Sequence, residues 1–431
     1  MPTKAVHRLP AAFARLAWSN LAAQSAEQVG LAAAPLVAVL ALGAGAGETG
    51  VLQTAQTLPF LLLSIPAGVL ADRASRRRLM TCAESLRTLS LVAILVLAGL
   101  DLLTLPLLAA LGFLGACGTV AYNVAAPSLV PALVEPRALA EANGRIELAR
   151  TVAFAAGPAL AGAVVGWTGA APAFGLAAAL SASAAFLLAG LEEPARPALP
   201  PRHPLHDLRE GAGCVFGSPL LRPIFLTQLV FNTAFFVLQA VYVPYAARHL
   251  GLGAGGIGAS LATYGLGMVA GALLAARILR MLPFGLVVAI GPLAGLAAAL
   301  AMVLTIWVRV MALAAFSFFL MGAGPILWVI ATTTLRQTVA PRHLLGRVSA
   351  IFGLAYGARP LGAAIGAVIG GSYGAEACLV LAAGGFLLQA ALILASPVLR
   401  LARQPDPPAA VEAAAPEARP GAAQSAASRA G

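Results

Sequence analysis

The chain alternates between long apolar blocks and short segments rich in arginine, glycine and proline. The apolar blocks are about 20 residues long, the length of α-helix that crosses the hydrocarbon core of a bilayer. The pattern therefore predicts twelve transmembrane helices, at approximately 16–42, 50–70, 79–100, 105–127, 147–167, 172–191, 222–246, 256–276, 284–306, 310–333, 348–370 and 375–398.

Composition excludes an ordinary water-soluble enzyme. Of the 431 residues, 60% are hydrophobic and only 10% are charged, against about 25% charged in soluble domains. The net charge of +11 comes mainly from arginines in short loops between apolar blocks. That placement is typical of a membrane protein rather than of a nucleic-acid-binding surface. We expect the lipid bilayer, and no nucleic acid, among the partners.

The 27 lysines and arginines are divided unevenly between the two predicted sides of the membrane. Of these, 23 fall on the side that carries both termini, two (Arg248 and Arg309) fall on the other, and Arg87 and Arg359 lie within spans. Because basic loops are retained in the cytoplasm, both termini are predicted to be cytoplasmic. We expect a multi-pass protein of the inner (plasma) membrane.

An internal repeat divides the chain in two. Gly144-Arg145 is followed by Pro158, and Gly346-Arg347 is followed by Pro360, at a constant offset of 202 residues. Parallel repeats of this kind are typical of transporters that rock about a site near the midplane. We therefore predict an all-α membrane protein of two pseudosymmetric six-helix bundles. The expected segments are a cytoplasmic N-terminal segment 1–15, bundles 16–191 and 219–400, a cytoplasmic linker 192–218 and a disordered cytoplasmic tail 401–431.

The loop after the second span carries a family resemblance. Gly68-Val-Leu-Ala-Asp72-Arg73-Ala-Ser-Arg76-Arg77 resembles the signature loop of the major facilitator superfamily, with serine at 75 where the family usually has glycine. The resemblance implies a twelve-helix transporter with a gating motif made of Gly68, Asp72, Arg73, Arg76 and Arg77. We expect Gly68 to pack closely and Asp72 and Arg73 to form an ionic latch on the cytoplasmic side. The alternative, anchoring to anionic lipid, is favoured for Arg78.

The fifth span contains Gly157-Pro158 and Gly162, which resemble the Gly-Pro motif of proton-coupled exporters in the superfamily. Proline removes a helical hydrogen bond and glycine permits close approach, so we expect a bendable, closely packed interface helix. Ordinary packing of small residues is the alternative. Within the superfamily, the chain most resembles the drug and siderophore efflux branch, which includes macrolide and enterobactin exporters.

Two ionisable residues are predicted at the same depth of the membrane. Glu27 and Arg359 each lie 12 residues beyond an interfacial arginine, Arg15 and Arg347, or about 18 Å along a helix. Charges at this depth are costly and usually functional, so we predict that Glu27 and Arg359 form the proton-coupling pair. A static pair, or contact between Glu27 and a cationic substrate, is the alternative. Glu84 and Arg87, at i,i+3, are expected to pair and brace the signature loop.

The resemblance also implies that spans 1, 4, 7 and 10 line a central cavity. Polar residues of span 7 recur in steps of four and three, which places them on one helical face. Amides are costly against lipid and must face protein or water, although hydrogen bonding between helices is the alternative for any single residue. The predicted cavity residues are Asn20, Gln24, Tyr122, Asn123, Gln228, Asn232, Phe235, Gln239, Tyr242 and Trp328.

Together these features predict a secondary transporter that exports hydrophobic or amphipathic small molecules by proton antiport with alternating access. We expect a monomer whose partners are its substrate and protons, and no cofactor or metal, since the four cysteines are widely spaced and the sequence has no HExxH, GxSxG or P-loop. The alternatives are an uncoupled facilitator or lipid-moving relative and, less favoured, a non-transporting scaffold or an enzyme.

Overall fold

The computed structural model describes residues 10–135, 138–193, 204–341 and 344–403. Within these ranges the chain is helical, with short connections and no strand. The cores of both halves are apolar and are built mainly from alanine, valine, leucine and phenylalanine.

Seven α-helices form the described part of the first half. They are α1 (Ala11–Leu40), α2 (Ala46–Leu62), α3 (Ser64–Arg73), α4 (Arg76–Gly99), α5 (Leu105–Leu133), α6 (Leu139–Thr168) and α7 (Ala170–Ala189). Helices α2 and α3 together occupy the second predicted span and are separated at Leu63.

The second half is preceded by a short helix, α8 (Pro204–Gly217), and repeats the pattern of the first half. Its helices are α9 (Leu221–Arg248), α10 (Ala254–Met281), α11 (Phe284–Leu304), α12 (Met311–Val339), α13 (Leu345–Leu354), α14 (Ala358–Tyr373) and α15 (Ala375–Leu394). A 3₁₀ turn, Ala355–Gly357, joins α13 to α14, and a second one, Pro397–Arg400, follows α15. Helix α8 lies within the predicted linker 192–218 and packs on α13.

Ten helical stretches of the described residues are long and apolar enough to cross a membrane, with α13–α14 acting as one. The other two predicted spans correspond to α1, whose polar side chains lower its hydropathy, and to the divided α2–α3 pair. The prediction of an all-α, multi-pass membrane fold is confirmed.

The pseudosymmetry extends to single glycines. Gly169, between α6 and α7, has φ = 89°, and Gly374, between α14 and α15, has φ = 87°. A residue with a Cβ is strained at such positive φ, so glycine allows each pair of helices to turn back within one residue.

Among the described residues, the most extensive contacts between the two halves lie on one side. On the side away from the start of α1 and the end of α15, α2 packs on α14 and α6 packs on α10. We call this the closed side, and the opposite one the termini side. A Cβ added to Gly47 would lie 2.9 Å from the Gly371 Cα, and one added to Gly50 would lie 2.4 Å from the Ala367 Cα. Small residues thus bring the backbones of the two halves into direct contact.

Candidate functional site

A cavity of about 2440 Å³ lies between the two halves. Its wall is built mainly from α1–α6 of the first half and α9–α14 of the second, with a few residues from α7, α8 and α15. Residues at the termini side, including Asn143, Leu208 and Arg347, line the cavity, whereas the closed-side connections do not. The cavity therefore opens toward the termini side.

Most of the residues predicted for a cavity lie on this wall. They are Asn20, Gln24, Asn123, Gln228, Asn232, Phe235, Gln239, Tyr242 and Trp328. Tyr122 does not, and its prediction is wrong: its side chain is 1% exposed and packs in the apolar core of the first half. Tyr122 lies about 100° around the helix from Asn123, so only the latter faces the cavity.

Hydrogen bonds also link some of these polar residues across helices. The Gln24 amide donates to Asn123 Oδ1 (3.3 Å), and the Gln228 amide donates to the Phe352 carbonyl (3.2 Å). Interhelical bonding and cavity lining, which the sequence leaves as alternatives, therefore coexist at the same side chains.

Aromatic rings that the sequence pattern did not single out cover much of the wall. Phe231 stacks on Phe235 with centroids 5.7 Å apart, and Phe235 contacts Tyr264 at 5.7 Å. Phe154 of the first half lies 6.2 Å from Tyr264, so the aromatic surface crosses between the halves. Of these residues only Phe235 was predicted; Phe154, Phe231 and Tyr264 were missed because aromatic side chains also face lipid, and polarity alone does not separate the two positions.

A buried ionic cluster joins four helices of the first half. The Arg87 guanidinium lies 2.8 Å from Glu84 and donates to Thr119 Oγ1 (2.7 Å) and to the Ala23 carbonyl (3.1 Å). The Ser181 hydroxyl donates to Glu84 (2.7 Å). The expected Glu84–Arg87 pair thus forms, but it braces the interior of the half rather than the signature loop.

Glu27 and Arg359 both lie on the cavity wall, but they do not form an ion pair in this structure. The Glu27 side chain is 13% exposed, and its Oε2 lies 4.0 Å from Arg87 Nη2. No carboxylate oxygen of the described residues lies within 4.0 Å of Arg359, whose Nε donates to Asn232 Oδ1 (3.3 Å). The expected pairing is corrected: the nearby cation of Glu27 is Arg87. The side chains of Arg87 and Arg359 are both long enough to reach across a helix interface. The depth of Glu27 in the membrane therefore did not predict which of the two arginines lies beside it.

The signature loop is open in this conformation. A Cβ added to Gly68 would meet no atom within 4 Å, so the expected close packing is absent here. The side chains of Asp72 and Arg73 lie outside the described residues, and the latch assigned to them stays a prediction. Helix α3, which carries this glycine, packs on α5 of its own half.

The same loop is tied to the end of α7 by a carboxylate. Ser75 caps α4, accepting from the Arg78 N–H (3.2 Å), and its hydroxyl donates to Glu193 (2.5 Å). Glu193 also accepts the backbone N–H groups of Arg76 (3.1 Å) and Arg77 (3.2 Å). Burial acts to raise the pKa of Glu193, but these hydrogen bonds outweigh it and hold the pKa below its usual value. The serine that departs from the family pattern is therefore a helix cap.

The Gly-Pro helix lies between its own half and the other. A Cβ on Gly157 would lie 2.4 Å from the Gln28 Cβ in α1, and one on Gly162 would lie 2.8 Å from the Gly258 Cα in α10. The Pro158 carbonyl oxygen would lie 2.5 Å from a Cβ on Gly258. The three predicted motif residues are therefore at tightly packed helix crossings.

Within the described ranges, no three His, Cys, Asp or Glu side chains are grouped closely enough to hold a metal ion.

Comparison with known proteins adds four similarities. The Major Facilitator Superfamily matches residues 16–359. The chain is 28% identical over 365 residues to the multidrug efflux pump Tap of Mycobacterium tuberculosis, covering 80% of this chain and 84% of that protein. It is 29% identical over 350 residues to the enterobactin exporter EntS of Escherichia coli, covering 79% and 81%. The crystal structure of the POT family transporter PepTSo shares the fold, with a TM-score of 0.73 at 11% identity, covering 90% of this chain and 97% of that one.

Proposed function

Because the chain belongs to the Major Facilitator Superfamily of membrane transporters, we propose that it exports hydrophobic or amphipathic small molecules in exchange for protons. Relatives named as a multidrug efflux pump and an enterobactin exporter support the direction of transport. The tightly packed Gly-Pro helix at the junction of the halves is compatible with rocking about a closed side.

The observation that carries the proposal is the cavity. Its volume of about 2440 Å³ exceeds the roughly 300–1,000 Å³ of sites for drug-sized ligands. Its wall combines aromatic rings with amides and few charges, and it is closed on one side only. A surface of this kind suits an organic molecule of moderate size better than a small, strongly hydrated ion.

Proton coupling is assigned to Glu27. Arg87 is shared by two carboxylates, and the fully buried Glu84 is the closer of them at 2.8 Å. Glu27, at 4.0 Å and on the cavity wall, is the carboxylate that substrate and water can reach. Ionisable residues at membrane depth commonly serve as proton relays. Rocking that covers and uncovers Glu27 would change its protonation, because burial disfavours the charged carboxylate. Arg359, on the same cavity wall, is the second member of the proposed coupling pair.

We further propose that the protein is a monomer of the inner membrane with cytoplasmic termini, so that the cavity opens to the cytoplasm. The excess of arginine on the termini side supports this orientation. A cytoplasmic opening would let the exporter load its substrate from inside the cell.

The test is transport in proteoliposomes under an imposed pH gradient, with ethidium as the probe. One pH unit is worth about 1.4 kcal/mol per proton, or about a tenfold substrate gradient. The wild type should accumulate ethidium uphill, whereas Glu27→Gln should retain only downhill movement. Glu141→Gln, which removes an exposed partner of Arg145, is the matched control and should accumulate ethidium normally.

Full pH-driven accumulation by Glu27→Gln would reject coupling at Glu27. Wild-type transport that ignores the pH gradient would instead favour an uncoupled facilitator.

A further inference from the structure

The arginines on the cavity wall differ in how their charge is balanced. Among the described residues, three of the four have a carboxylate partner, and Arg359 has none within 4.0 Å. The paired ones are Arg87 with Glu84, Arg150 with Glu147, and Arg347 with Glu210. Since an unpaired cation at membrane depth is costly, its surroundings need explanation.

Three aromatic rings surround the Arg359 guanidinium. Its Cζ lies 4.5 Å from the ring centroid of Tyr356, 5.2 Å from that of Phe60 and 5.4 Å from that of Phe236. Its Nε donates to Asn232, while its two terminal NH₂ groups donate to no acceptor among the described residues. The rings and the amide stabilise the cation and hold it in place without neutralising it.

The terminal NH₂ groups of Arg359 have the geometry to bind an anionic group. A guanidinium presents parallel N–H donors that match the two oxygens of a carboxylate. Here such donors lie beside aromatic rings in a cavity of substrate size. An anion bound to Arg359 would therefore be neutralised, and an aromatic ring that carries it could pack against the same side chains.

We propose that Arg359, Phe60, Phe236 and Tyr356 form a subsite for an acidic group attached to an aromatic ring, so that aromatic anions are among the amphipathic compounds that the transporter binds. The inference rests on the proposed function and specifies one of its substrate classes. Phe60 belongs to the first half and the other three residues belong to the second. The subsite is complete in this conformation, and rocking that moves Phe60 away weakens it and favours release.

Two dyes of similar shape and opposite charge test the subsite in the purified, full-length protein. Fluorescein is anionic, and rhodamine 123 is a cationic ester, and their binding is measured by fluorescence anisotropy. Arg359→Gln should weaken fluorescein binding about tenfold or more, because charge-assisted hydrogen bonds are lost. Rhodamine 123 binding should change by less than about twofold, since its ring contacts remain. Arg359→Lys should be intermediate, since it keeps the charge and loses the planar donors.

Arg336→Gln is the matched control. Arg336 lies over the Phe352 ring at 4.5 Å, as Arg359 lies over Tyr356, but it is not on the cavity wall. Binding of both dyes should be unchanged in this variant. A second measurement needs no variant: 2-naphthoate should displace fluorescein from the wild type at about one tenth of the concentration required of neutral 2-naphthylmethanol.

Equal weakening of both dyes by Arg359→Gln, or equal displacement by the two naphthyl compounds, would overturn the subsite while leaving the proposed function intact. Failure of the wild type to bind either dye, together with no ethidium transport, would overturn both.

Discussion

A single methyl group at Gly162 should loosen the closed side. Helix α6 crosses α10 at this glycine, and a Cβ there would lie 2.6 Å from the Ala254 carbonyl oxygen and 2.8 Å from the Gly258 Cα. Gly166, one turn further along α6, has room: its Cβ would meet nothing closer than 3.7 Å. The variants Gly162→Ala and Gly166→Ala therefore differ in the clash and in little else.

The size of the effect follows from those distances. Ordinary carbon contacts need about 3.5–4.0 Å, so the two helices must separate by roughly 1 Å to accept the new Cβ. Overpacking of this kind costs about 1–3 kcal/mol. Both substitutions also gain up to about 1 kcal/mol in helix propensity, which cancels between them. A net loss of about 2 kcal/mol from the closed side would shift the ratio of open to closed molecules about 30-fold.

Distances between spin labels on the closed side would measure that shift. Leu102 and Val308 are exposed in connections of the first and second half, and each can be replaced by a labelled cysteine. The native cysteines to be removed first are Cys82, Cys117, Cys214 and Cys378. We expect longer distances in Gly162→Ala and a wild-type distribution in Gly166→Ala.

Identical distributions in the two variants would refute the reasoning, because the clash at Gly162 would then have been absorbed without moving the halves. A shift confined to Gly166→Ala would refute it equally.

Two further perturbations address the loop contacts. Glu193→Gln should lower the free energy of unfolding by about 1 kcal/mol at neutral pH, because a capping carboxylate is lost. Since the pKa of Glu193 is lower in the folded protein, its contribution is present above the usual carboxyl range and disappears as the pH falls through the folded-state value. The melting temperatures of the wild type and of Glu193→Gln should therefore converge at acid pH. A difference in melting temperature that does not change with pH would contradict the assignment. Arg248→Gln removes hydrogen bonds to the carbonyls of Gly43 (2.9 Å) and Ala44 (2.8 Å), which join the halves on the closed side. Because Arg248 is exposed, we expect a loss of about 1 kcal/mol and a smaller lengthening of the same label distance, and an unchanged distribution would argue against this link.

Features set by local periodicity were predictable. The period of apolar blocks and the repeated Gly-Arg and proline positions indicated the span order and the two halves. The steps of four and three in span 7 identified Gln228, Asn232 and Gln239 as one face, and all three lie on the wall. Aromatic side chains can face the core, lipid or a cavity, so periodicity did not distinguish these positions. For this reason Tyr122 was wrongly placed on the cavity wall, and Phe60 and Tyr356 were missed.

The sequence by itself determined the all-helical membrane fold, because the fold follows from bilayer thickness and the rise of a helix. The similar depth of Glu27 and Arg359 follows from the same rise and stays a prediction. Only the tertiary structure decided which arginine lies beside each buried carboxylate. Whether Arg87 or Arg359 meets Glu27 depends on how each helix is rotated about its axis and on how far the halves stand apart. These are properties of packed helices, and no single helix carries them in its own sequence.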